Sequence, residues 1–161
     1  MKTRTLLSLI VATVALGCAS TAPTLDGNSD MGNFAGAKVE ITAEGGIAAL
    51  SVMHRVDHDT RRFAYSQRRI CGTTCSAPTD TTDGTLAPAT SDSLFNVVLQ
   101  DARSLTRDDY GVTRNGADMM SYTIRLTAEG RTRTIRGDDG SLPEPAHRIL
   151  TAVRQAISAA R

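Results

Sequence analysis

Three short stretches carry the residue types that could do chemistry. His54, Asp57, His58 and Asp59 crowd into HRVDHD, the one dense polar cluster, and such side chains can hold a metal ion or exchange protons. Cys71 and Cys75 close the short loop CGTTC. Glu44, Gly45, Gly46 and Ile47 lie inside AEGGIAAL (Ala43–Leu50), where an acid and a flexible pair precede an apolar side chain. Each stretch has a plainer reading. Histidines four apart stack on a helix, but this segment reads as extended, so HRVDHD is equally a strand end running into a solvated loop. AEGGIAAL is either a simple hairpin turn with Ile47 folded back on a sheet, or a narrow apolar tip that touches a partner.

The first residues set the compartment. Lys2 and Arg4 precede LLSLIVATVAL (Leu6–Leu16), and Gly17-Cys18 follows. A basic head, a short apolar run and a small residue before a cut describe a secretory signal over residues 1–17. The run falls short of the roughly 20 apolar residues that a spanning helix needs. ALGC (Ala15–Cys18) resembles the box of a bacterial lipoprotein signal. That resemblance implies that Cys18 becomes the lipidated first residue and holds the chain on a membrane of the cell envelope, facing the periplasm or the exterior. Ala19 in place of aspartate after the cysteine favours the outer membrane. With Cys18 occupied, Cys71 and Cys75 form an even pair in an exported chain, and a disulfide is the default there. The same pair with His54 and His58 would make a Cys₂His₂ set, at a spacing that matches no zinc finger. No metal site and no cofactor are assigned.

Composition excludes further classes. The chain holds 18 basic and 17 acidic residues, no Trp and only 4% aromatics. Removing Lys2 and Arg4 with the signal leaves it near neutrality, with no basic stripe, so a nucleic-acid role is not expected. There is no G-x-S-x-G, phosphate loop or H-E-x-x-H, and no enzyme activity is assigned. The partner is expected to be another protein.

These stretches need elements to position them. Residues 18–36 are rich in Ala, Ser, Thr, Gly and Asn and read as a flexible tether, reaching roughly 50–60 Å if fully extended. Residues 37–161 read as one domain. KVEIT alternates, and so does AALSVMHRV, with Ala48, Leu50, Val52, His54 and Val56 on one face; the two form a hairpin around the glycine pair. RRFAYSQRR adds a third strand with Phe63 and Tyr65 on one side. Ala77–Asp92 reads as loop. Leu94, Phe95, Val98, Leu99, Ala102 and Leu105 recur at helical spacing, predicting a helix over Asp92–Leu105 capped from Ser91-Asp92-Ser93. Arg107–Gly116 is irregular and forms a second candidate contact loop. ADMMSYTIRLT and RTRTIRG make a hairpin around Glu129-Gly130. SLPE (Ser141–Glu144) reads as a capping box for a last helix striped by Ala146, Ile149, Leu150, Val153, Ala156 and Ile157. The order β-β-β-α-β-β-α predicts an α+β fold: an antiparallel sheet of four to five strands with two helices on one face.

KVEITAEGGIAAL (Lys38–Leu50) and MSYTIRLTAEGRTRTIRGDDGSLPEPAHRILTAVRQAI (Met120–Ile157) together resemble the emfourin family, small bacterial protein inhibitors of thermolysin-like (M4-type) zinc metallopeptidases such as protealysin. This chain carries Ile47 where the family often has an aromatic and Ala49 where it often has a further glycine. The resemblance implies a cleft-blocking protease inhibitor; the alternatives are an envelope lipoprotein of structural or assembly role with no peptidase target, and a metal-binding envelope protein using His54 and His58. The resemblance places Glu44, Gly45, Gly46 and Ile47 at the partner, with Ile47 entering an apolar pocket and Glu44 approaching the peptidase zinc.

Overall fold

Strand β1 (Lys38–Gly45) buries Val39, Ile41 and Ala43 and turns Lys38, Glu40 and Glu44 the other way, the period-2 pattern of a sheet with one wet face. The computed structural model describes residues 34–70, 80–113 and 118–161. Among them, six strands form one antiparallel sheet: β1, β2 (Leu50–Asp57), β3 (Arg62–Arg69), β4 (Asp80–Thr85), β5 (Met120–Ala128) and β6 (Arg131–Asp138), in the order β4-β3-β2-β1-β5-β6. Helices α1 (Pro88–Ser104) and α2 (Glu144–Ala159) complete an α+β fold. Residues 1–17, read above as a signal peptide, and Cys18, Cys71 and Cys75 lie outside the described residues.

The register lines one row of core side chains across the sheet: Tyr65, His54, Ile41, Ile124 and Ile135 are successive neighbours on β3, β2, β1, β5 and β6. Phe95 and Val98 of α1 and Ile149, Leu150 and Val153 of α2 are buried in the same cluster. The apolar stripe expected for the last helix, Ala146 to Ile157, is the set of α2 residues that is buried. The β5–β6 turn has Glu129 and Gly130 both at positive φ, 53° and 72°, as a two-residue hairpin with the twist of its strands requires.

Three expectations are revised. First, β4 lies within the stretch read as loop. Its core-facing positions are Thr82 and Gly84, opposite Tyr65 and Phe63. A Cβ at Gly84 would sit 2.7 Å from the Phe63 ring, so the neighbouring strand supplies the apolar cover that β4 lacks. Second, α1 begins at Pro88, a turn earlier than Asp92, with no side-chain cap. Proline suits a first turn because its missing N–H is unneeded there. Ser91 is buried inside the helix, and Asp92 accepts a hydrogen bond from His58 Nε2 at 2.9 Å. Third, Ser141 does not cap α2, whose N-cap is Pro143. The Ser141 hydroxyl donates to the Gly111 carbonyl and accepts from the Asp138 N–H. The end of the tether also joins the domain: the Phe34 ring packs 4.9 Å from His58 and 6.4 Å from Phe95, and the Gly36 N–H donates to Asp59.

Two polar contacts tie the elements together, one joining the sheet to α1 and the other joining the two helices. Arg133 is on the core-facing side of β6, paired with Leu126, and reaches the end of α1. Its guanidinium donates to the carbonyls of Ala102 (2.7 Å), Leu105 (2.8 Å) and Arg107 (3.1 Å) and to Asp108 (2.7 Å). A helix end leaves carbonyls without partners, and a cation there also meets the negative end of the helix dipole. Arg148 of α2 donates to buried Asp101 of α1 through Nε and Nη2, the closest contact being 2.6 Å.

Candidate partner-binding site

The β1–β2 connection is the four-residue turn Gly46-Ile47-Ala48-Ala49, closed by the Ala49 N–H donating to the Gly46 carbonyl at 2.9 Å. Gly45 and Gly46 both hold positive φ, 122° and 71°, and so does Ala49 at 45°. L-residues seldom adopt that region, so the turn needs its glycine pair and stores some strain at Ala49. Gly45 has a second reason to be glycine. A Cβ there would lie 2.7 Å from the Met119 carbonyl, so its bare backbone admits the start of β5.

The Ile47 side chain projects into solvent and is 87% exposed. Its backbone is nonetheless held, because the Ile47 N–H donates to Asp118, a residue 71 positions away. The Met120 N–H donates to Asp139 at 2.9 Å, and the Tyr122 hydroxyl to the same carboxylate at 2.7 Å. The hairpin is therefore braced from the side by the head of β5 and the β6–α2 turn. Glu44 is exposed beside the tip and accepts a hydrogen bond from Ser51 Oγ at 3.2 Å across the strand pair. Glu44, Gly45, Gly46 and Ile47 are thus brought together, with the acid and the apolar side chain both open to solvent.

Behind this tip, the β6–α2 turn is built on Asp138, which no motif in the sequence marks. The Asp138 carboxylate accepts from the backbone N–H and the hydroxyl of Thr113, and from the N–H groups of Gly140 and Ser141. The Thr113 N–H, chiefly, holds this carboxyl well below the usual carboxylate range, against the opposing effect of burial. It fixes the second candidate loop, where Val112 is 74% exposed, against the sheet.

The HRVDHD cluster is split by strand alternation. His54 faces the helices at 6% exposure, packed 5.2 Å from the Tyr65 ring, whereas Asp57 faces the open side, paired with Lys38 at 2.8 Å. His54 and His58 are four residues apart along extended chain, roughly 13 Å, too far to share one ion. Among the described residues, no group of three or more His, Cys, Asp or Glu is placed to hold a metal. Burial lowers His54 to about 4, and Arg154 and Arg161 push the same way. Its unfolded value is about 6.5, so protonation favours the unfolded chain. Its contribution to stability is complete above about pH 6.5 and is lost as pH falls toward 4, by on the order of 3 kcal/mol. The expected result is a melting temperature that falls over this window and a flatter profile for His54→Leu, read by thermal unfolding from pH 7 to 4. An unchanged slope in the variant assigns the loss to other groups.

No family model matches the chain, and comparison with curated proteins returns no match.

Proposed function

We propose that the chain is an exported, lipid-anchored protein of emfourin type that binds another protein through the β1–β2 turn and blocks the cleft of a thermolysin-like zinc peptidase. The observation that carries this reading is the tip itself: one medium-sized apolar side chain, 87% exposed, on a turn that is narrow at Gly45-Gly46 and braced by Asp118. Burying an isoleucine in a pocket is worth about 1.5–3 kcal/mol, and a turn already held in place loses little freedom on binding. Glu44, open to solvent two residues before the turn, is the group to approach the peptidase metal, since carboxylate oxygen is an accepted zinc ligand. Ala49 supports the family reading as well, because it holds a positive φ where emfourins often carry glycine. On this reading the lipid on Cys18 keeps the domain at the envelope, on the outer membrane in preference to the inner, and the Cys71–Cys75 disulfide pins one bend.

The test is an inhibition assay with the full chain against thermolysin and against one serine and one cysteine peptidase, each with a small fluorogenic peptide. The expected outcome is saturable inhibition of thermolysin at micromolar chain or below and none of the other two. Absence of inhibition by 100-fold higher chain removes thermolysin as the target.

A further inference from the structure

Ile157 is the last buried residue of α2, and Ser158, Ala159 and Ala160 are exposed. Arg161 then reaches back to two strands. Its guanidinium lies 4.5 Å from the centre of the Tyr65 ring on β3 and 3.1 Å from the Asp80 carboxylate at the start of β4. The same Tyr65 ring packs 5.2 Å from His54 of β2. His54 is buried, and its Nδ1 has no hydrogen-bond partner. The groups around it leave a proton on that ring without an anion. Ile41 of β1 and Tyr65 are its strand neighbours, and the Tyr65 hydroxyl donates to Gln67 at 2.8 Å. Helix α2 brings Arg161 and Arg154, the second of which also lies over the Tyr122 ring at 5.6 Å. Asp80 of β4 is the acid of this group, and it is paired with Arg161.

We infer that His54 is the acid trigger of a clasp: when its ring gains a proton, Arg161 leaves Tyr65 and Asp80, and the last turn of α2 detaches from β3 and β4 while the rest of the domain stays folded. Charge provides the push. Protonation sets a third cation beside two others, in a buried place with little water to screen them. The last turn is the element that yields. The Arg161–Asp80 pair is partly open to water, where ion pairs contribute little, and helix ends fray before their middles. Lifting the rest of α2 would instead expose Ile149, Leu150 and Val153. Release of the turn lets water reach the ring and removes one of the two arginines. With the clasp closed His54 titrates at about 4, against 6.5 in water, so full return to water shifts the balance toward release about 300-fold between neutral pH and pH 4. The clasp is independent of the cleft-blocking reading and is tested without a peptidase.

The experiment follows the histidine ring signals and the backbone heteronuclear NOE of the full chain by NMR from pH 7 to 4. Residues 158–161 are expected to become mobile on the ps–ns timescale as the His54 ring titrates, with residues 144–156 and the strands unchanged. His54→Leu is expected to keep the turn rigid down to pH 4. Arg161→Gln, a change at an exposed residue, is expected to loosen the turn already at pH 7 and to raise the His54 midpoint. If the turn loosens at the same pH in His54→Leu, protonation of Asp80 or another group is the trigger and the inference is overturned. It is overturned equally if His54 titrates while residues 158–161 stay rigid, if all residues lose their folded signals together, or if Arg161→Gln leaves both the turn and the His54 midpoint as in the wild type.

Discussion

Ile47→Asp is expected to weaken inhibition of the target peptidase at least about 100-fold while leaving the melting temperature unchanged. The two halves of this expectation have separate causes. Transfer of the isoleucine side chain into a pocket contributes about 1.5–3 kcal/mol, and an aspartate in its place brings a charge that must lose water without gaining a partner. Together these exceed the roughly 2.7 kcal/mol that a 100-fold change represents. In the free domain the same side chain is 87% exposed and its backbone N–H, which holds Asp118, is retained, so folding has nothing to lose. A matched fall in melting temperature and inhibition means that Ile47 acts through the fold rather than at the partner.

Arg133→Ala is expected to lower unfolding free energy by about 3 kcal/mol, the largest effect on stability of any single polar change here. The loss leaves the carbonyls of Ala102, Leu105 and Arg107 and the carboxylate of Asp108 without their donor, in a side-chain environment only 13% exposed for the arginine. Hydrogen bonds from a charged donor contribute about 1.5–3 kcal/mol each, and water replaces only part of the set. Arg133→Lys keeps the charge but cannot span four acceptors, so an intermediate loss is expected in urea unfolding. A change below about 1 kcal/mol for the alanine variant would show that these contacts are made equally well by solvent.

Much of the architecture was legible because period and packing agree. Val39, Ile41 and Ala43 alternate, the α2 stripe repeats at helical spacing, and both are buried as read. β4 was illegible for a local reason: DTTDGT has no large apolar residue, and the cover over Thr82 and Gly84 comes from Tyr65 and Phe63 on the next strand. The start of α1 was hidden by Pro88 and Thr90, residues of loops as much as of first turns. Phe34 stood alone in a polar tract, with nothing in its surroundings to mark it as the piece that packs on His58.

The site was legible in composition and not in orientation. Gly45-Gly46 announces a turn, yet whether Ile47 folds back or projects depends on Asp118, brought in from the turn just ahead of β5. The use of Gly45 to admit Met119 is equally a property of the sheet order, which pairs β1 with β5 across most of the domain. Arg133 looked like one basic residue among several on a hairpin. Its place on the core side follows from register, since it stands opposite Leu126.

The most direct test of the outward-facing hairpin as the element that engages a partner is amide hydrogen exchange of the full chain, free and bound to thermolysin. Slowed exchange across residues 45–50, with α1 and α2 unchanged, is the predicted result. Protection confined to the helices around Val97 and Ala152, with the hairpin exchanging as in the free chain, would contradict it.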